Sequence, residues 1–184
     1  MKNLIITIAV LSILLIFTVF QSDINLMSRE QISLKDATEE IANTAAAQFD
    51  KEWYGEGYIM FDDVKANATA LQVLKRTVGV NNDFTPSNDY YTDSVEFYMY
   101  YFDDSGDGRK YYNGTGGGSF EFEYGDSVSS VCDITTITGK DFVISKPCVV
   151  CIINAGSPEM NVDGLDGQGR IMKMSVYEWA SPNP

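Results

Sequence analysis

Histidine is absent from all 184 residues. Its absence removes the commonest general base, the commonest zinc ligand and every Ser-His or Cys-His pair in one stroke. Charge is absent from Leu4–Phe20, LIITIAVLSILLIFTVF, which also holds no Gly or Pro and only Thr7, Ser12 and Thr18 among its aliphatic and Phe side chains. Positive charge is scarce beyond it. All 26 acidic residues and 12 of the 13 basic ones follow Phe20, so the outer part carries a net charge of −14. Such a field repels nucleic acid and anionic surfaces and makes both poor partners, so no nucleic acid is expected. The chain has three cysteines, none near the end of the apolar run, which excludes a lipidated anchor. Small residues are missing where a signal peptidase needs them. The exit reads Thr18-Val19-Phe20-Gln21-Ser22-Asp23, so a cut after Ser22 puts Phe20 at −3 and a cut after Phe20 puts a bulky ring at −1. The reading is therefore an uncleaved anchor, with a secreted domain released by signal-peptide cleavage as the alternative.

As a helix, Leu4–Phe20 spans roughly 25 Å, the short end of a membrane crossing. Lys2 precedes it and Asp23 soon follows, so the positive-inside rule keeps the N-terminus cytoplasmic and the C-terminal domain extracellular in a single-pass protein of the cell membrane. Residues 1–22 form the anchor. Residues 23–57 read as an amphipathic stalk helix, because Leu34, Ala37, Ile41, Ala45, Phe49 and Trp53 recur on one face while Lys35, Glu39, Glu40 and Lys51 sit mostly elsewhere. Gly55 and Gly57 end it. Nothing between Phe20 and Leu34 forces a break, yet Ser22-Asp23 is able to cap a fresh start; one continuous helix and two separate ones both fit. Residues 58–184 form the head. It opens with a second helix capped by Asp62 or Asp63, with Val64, Ala68, Leu71, Leu74 and Val78 on one face and Gly79 at the end. Val80–Asp89 is a turn-rich connection.

From Tyr90 the helical period disappears. Val95–Phe102, VEFYMYYF, is aromatic on both faces and reads as an inner strand. Ser119–Tyr124 alternates Phe120, Phe122 and Tyr124 with Glu121 and Glu123, a half-exposed strand. Val128–Ile137 and Asp141–Ile144 read as two strands about a Gly139-Lys140 hairpin turn. Cys148–Ile153 suits a sheet centre, and Ile171–Trp179 closes the chain as a last strand. Helices followed by a run of strands define an α+β fold: an N-terminal transmembrane helix extended into an amphipathic helix, a second helix, then a mainly antiparallel sheet.

Three stretches carry candidate chemistry. In Asp103-Asp104-Ser105-Gly106-Asp107-Gly108, Asp103, Ser105 and Asp107 place oxygens at alternate positions before a Gly, as a calcium loop opens, although its twelfth position is Gly114 and not Glu. A polar hairpin turn explains the same residues. Asn161–Gly167 repeats the pattern more weakly. Cys148 and Cys151 are three apart in an apparent strand, so they point to opposite faces and cannot bridge each other. Cys132 is therefore the partner for Cys148 or Cys151 in a possible disulfide, and three reduced thiols are the alternative. Asn113–Ser119 has the glycines of a phosphate loop but no Lys and no following helix, and reads as a flexible hairpin loop. Asn67 and Asn113 also lie in glycosylation sequons. No acid pair, nucleophile or basic patch stands out, and the expectation is a protein that is not an enzyme and has no cofactor, calcium aside.

An immediate apolar helix, the Ala-rich extension ATEEIANTAAAQFDKEW and an acidic β-rich head together resemble a pilin-like protein. Within that group the chain is most similar to the small pseudopilins of tight-adherence (Tad/Flp) pilus systems of Gram-positive bacteria, which share a polar run of the type Asp36–Ala47 just outside the membrane. The likeness covers roughly Met1–Gly79. A basic leader ending in Gly and a Glu five residues into the helix, both expected of a main filament subunit, are missing here. The resemblance thus implies an accessory or minor subunit of a surface filament or its assembly apparatus, partnered by other pilin-like subunits and held to the membrane through residues 4–20. Tyr90, Tyr91, Tyr98, Tyr100, Tyr101, Tyr111 and Tyr112 would offer partner contacts or simply pack the sheet. An anchored extracellular binding module, stabilised by calcium at Asp103–Asp107, is the alternative function, and an acid-pair hydrolase ranks last.

Overall fold

The structure, a computed structural model, describes residues 2–87, 91, 93–157 and 169–179. Tyr90 and the second calcium-like stretch, Asn161–Gly167, lie outside the described residues. The fold is α+β. A single helix, α1 (Lys2–Ala46), joins the apolar run to the Ala-rich stretch without a break, which decides between the one-helix and two-helix readings. From Leu4 to Phe17 its large apolar side chains are half to two-thirds exposed, whereas Leu34, Ala37, Ile41, Ala42, Ala45 and Ala46 are buried. Burying the larger of these side chains contributes about 1.5–3 kcal/mol each.

The helix stops earlier than its apolar period suggests. Ala46 ends α1, and a separate short helix, α2 (Lys51–Gly55), begins at Asp50, whose carboxylate accepts from Glu52 N at 2.9 Å. The chain turns back because Asp50 N donates to Met60 O (2.8 Å) and Asp62 N to Gln48 O (2.9 Å), with Phe49 and Phe61 facing each other between them. Trp53 therefore leaves the buried seam and is 46% exposed. Asp62 then caps α3 (Asp63–Thr77), accepting from Lys65 N at 3.1 Å. The buried face of α3 is Ala66, Asn67, Ala70, Val73 and Leu74, turned from the expected one; Val64 is 69% exposed. Alanines on both α1 and α3 allow the two helices to approach closely, and the larger Val64 is turned to solvent.

Five strands follow: β1 (Glu96–Phe102), β2 (Asp107–Tyr112), β3 (Thr115–Glu121), β4 (Cys148–Gly156) and β5 (Arg170–Glu178). They form one antiparallel sheet in the order β3-β2-β1-β4-β5. The inner strands alternate between two cores. Phe97, Met99, Tyr101, Val149, Cys151 and Ile153 pack beneath α1 and α3. Tyr100, Phe102, Cys148, Val150 and Ile152 pack on the other face. That second core is covered by α4 (Val128–Val131) and α5 (Ile134–Thr138), two short helices where the β-branched run Val128–Ile137 suggested a strand. Local hydrogen bonding overrides the propensity: Asp141 accepts from Ser127 Oγ (2.7 Å) and Ser129 N (3.1 Å), winding the chain at α4. Gly139, at φ 69°, is the left-handed C-cap of α5 and not a hairpin turn. Asp141–Ile144 is not a strand; within it Val143 makes a lone bridge to Ser127.

The glycine run differs from expectation too. The β2–β3 turn is made by Asn113 (φ 47°) and Gly114 (φ 78°), and Gly116, Gly117 and Gly118 belong to edge strand β3, not to a flexible loop.

Candidate functional site

The part of the molecule with the clearest chemical character is α1 and its seat on the head. Leu34, Ala37, Ile41, Ala42, Ala45 and Ala46 lie over the sheet and beside α3 within one core. Thr38, also buried, is satisfied by donating to Lys35 O at 2.7 Å. Arg76 at the C-terminal end of α3 reaches Glu40 of α1 at 2.5 Å, an exposed pair worth little on its own. At the far end Trp179 Nε1 donates to Ala46 O at 3.0 Å, and its ring meets Phe49 at 4.9 Å. Toward the apolar run the same face of α1 carries two buried carboxylates, Asp23 and Glu30, and Glu30 Oε2 has no hydrogen-bond partner among the described residues. Beside them an open groove of about 450 Å³ runs along Arg29, Ile32, Ser33, Asp36, Ala37 and Glu40 to Thr77. Among the described residues this is the one helix long and apolar enough to cross a membrane; by its N-terminal place it is compatible with an anchor and with a signal sequence.

Asp103 and Ser105, two of the candidate calcium residues, are hydrogen-bonded to each other. Asp103 is buried; its Oδ1 accepts from Ser105 N (3.1 Å) and from Ser105 Oγ, and its Oδ2 faces Phe61 N at 3.4 Å. Asp104 Oδ2 accepts from Ile59 N at 2.6 Å and Oδ1 from the Tyr124 hydroxyl at 2.6 Å. Asp107 lies at the start of β2, where its N–H donates to Ser105 Oγ at 3.1 Å. The two leading carboxylates therefore fasten Ile59–Phe61 to the β1–β2 turn. Among the described residues no group of three His, Cys, Asp or Glu side chains is placed to hold a metal ion.

All three cysteines are free. Cys132 lies with Cys148 in the core under α4 and α5, and Cys151 faces the helix side of the sheet. Of the two pairings left open by the sequence, only Cys132 with Cys148 shares a face. Burial pushes the Cys148 thiol up to about 12 and raises those of Cys132 and Cys151.

The sequon asparagines are engaged internally: Asn67 Nδ2 donates to Gly114 O at 3.2 Å and Asn113 Oδ1 accepts from Phe97 N at 2.9 Å. Of the tyrosines, Tyr91, Tyr100 and Tyr101 are buried and Tyr98 and Tyr111 half-buried, so most of that set packs the sheet. Tyr112 keeps an exposed edge. Among the described residues of the head, Trp53, Tyr54, Tyr58 and Tyr124 are further exposed aromatic side chains. Asp50 as a cap and the Gly55–Gly57 pair are the signals that could have separated the first three from the stalk.

No known protein family, curated protein or solved structure matches the chain.

Proposed function

We propose that the chain is a membrane-anchored extracytoplasmic structural protein, an accessory or minor pilin-like subunit of a surface filament or its assembly apparatus. One observation carries this reading: an unburied apolar segment, Leu4–Phe20, continues without interruption into the buried Leu34–Ala46 face of the same helix. A helix with exposed Ile, Leu and Phe on all sides needs an apolar surrounding, from lipid or from other apolar helices. A cleavable signal has no need to share a helix with the core of the domain it exports. The head adds an acidic chain and a core built on both faces of its sheet.

The test is the intact mass of the native protein together with its fractionation. Full-length mass in the membrane fraction supports an anchored subunit. A mass lacking the apolar run, with protein in the medium, overturns the anchor and leaves a secreted domain. Co-purification with sheared surface filaments distinguishes a filament subunit from an assembly component.

A further inference from the structure

Beyond the end of α1 the chain makes an excursion, Asp50–Met60, closed at its base by the Asp50–Met60 and Gln48–Asp62 hydrogen bonds. Every residue from Lys51 to Tyr58 is exposed, although three of them are large aromatics. The excursion is nonetheless well built. Glu56 N and Tyr58 N both donate to Trp53 O at 3.0 Å, Gly57 N donates to Tyr54 O at 3.1 Å, and Gly57 takes φ 94°. Tyr54 anchors it from beneath, against Phe49 at 4.9 Å and Trp179 at 6.2 Å. Trp53 and Tyr58 (52% exposed) then stand at its surface as an open corner, ring centroids 6.4 Å apart and planes at 78°.

Large rings carried at the surface on a hydrogen-bonded excursion suit recognition, since Trp and Tyr supply contact area at low entropic cost. Their angle selects the ligand. A sugar ring stacks best across a broad platform of coplanar rings, which two nearly perpendicular rings do not make. They do offer a ring face, whose negative quadrupole attracts an ammonium or guanidinium. The surroundings agree in sign: Asp50, Glu52 and Glu56 lie on the same excursion against the single Lys51, in a chain of net charge −13. We infer that the Trp53–Tyr58 corner, with Glu52 and Glu56, is a docking site for a lysine- or arginine-bearing segment of a partner protein. The site follows from the head alone and holds whether or not the apolar run sits in a membrane.

The test is calorimetric titration of the full chain, in zwitterionic detergent, with a synthetic peptide of alternating arginine and glycine, alongside tryptophan emission. Saturable binding is expected, weakened by salt and accompanied by an emission change that Trp53→Phe alters. Trp53→Ala combined with Tyr58→Ala should lower affinity roughly tenfold without lowering the melting temperature. Glu52→Gln with Glu56→Gln should weaken binding too, and Trp53→Phe alone should retain most of it. Equal affinity in the double alanine variant would overturn the proposal, reducing the effect to diffuse charge attraction. So would absence of binding. Binding of a neutral oligosaccharide that Trp53→Ala abolishes, or self-association that it abolishes, would reassign the corner to a sugar or to a second copy of the chain.

Discussion

Trp179 and Ala46, 133 residues apart, are joined by an indole N–H to carbonyl hydrogen bond of 3.0 Å. The last carbonyls of a helix have no partner within it, and Trp179 supplies one at the end of α1. The same ring meets Phe49, Tyr54 and Tyr177. Trp179→Phe keeps most of the ring contacts and removes the donor. The expected loss is about 1 kcal/mol, read as a lowered denaturation midpoint. Trp179→Ala should cost more, about 3 kcal/mol, because the aromatic cluster loses its hub.

Tyr101 is buried in the core under α1 and α3, and its hydroxyl has no hydrogen-bond partner among the described residues. Leaving a buried hydroxyl unpaired costs about 1–3 kcal/mol. Tyr101→Phe deletes that group and keeps the ring, so it should raise stability by about 1 kcal/mol. A melting temperature below that of the parent protein would contradict the burial argument.

Alkaline pH should unfold the head. Tyr111 ionises at about 12 instead of 10.0, first because it is desolvated and then because its hydroxyl donates to Asp63 at 2.5 Å. Tyr98, Tyr100, Tyr101 and Tyr124 are raised too, each chiefly by burial. A raised phenol favours the fold fully below its unfolded value, and that contribution is lost as pH climbs through the folded one. Circular dichroism and phenolate absorbance should therefore change together between pH 10 and about 12. In Tyr111→Phe the transition should become shallower.

Calcium should leave the protein unchanged. The carboxylates of Asp103 and Asp104 are engaged by Ser105, Ile59 and Tyr124. Melting curves in millimolar calcium and in a chelator should superimpose. Asp104→Ala, which strands the Ile59 N–H and the Tyr124 hydroxyl, should cost about 2 kcal/mol under either condition.

Thiol labelling should be graded. Cys132 is half-buried and Cys148 and Cys151 are buried with raised thiol pKa values. A maleimide at neutral pH should modify Cys132 slowly, and all three cysteines only after denaturation. Oxidation that yields a bridge should join Cys132 to Cys148, and peptide mapping that finds Cys151 in the bridge would contradict the two-face assignment.

The apolar run, the cap at Asp62 and the strands near Val95–Phe102, Cys148–Ile153 and Ile171–Trp179 are legible in the sequence because each rests on a local pattern. Continuous apolar character on β1 and β4 signals a sheet covered on both sides, which the two cores bear out. Val128–Ile137 misleads because β-branched residues favour strands, while the carboxylate of Asp141, more distant in the chain, bonds Ser127 and Ser129 and winds the start of the segment into α4. Trp53 misleads because its spacing continues the α1 period, although the chain has already reversed at Gln48–Asp50. Asp103–Asp107 has the composition of a cation loop, and only the burial of Asp103 and the reach of Asp104 to Ile59 show what the carboxylates hold.

The continuity of α1 has a mechanical corollary. Between Phe20 and Leu34 every backbone unit is helical, so there is no swivel between the apolar segment and the head. A tilt or rotation imposed at one end becomes a displacement at the other, scaled by a lever of roughly 40 Å from Phe20 to Ala46 at 1.5 Å per residue. Load applied at the Trp53–Tyr58 corner would pass down the helix axis as torque and tension, where a flexible tether would first have to be drawn taut.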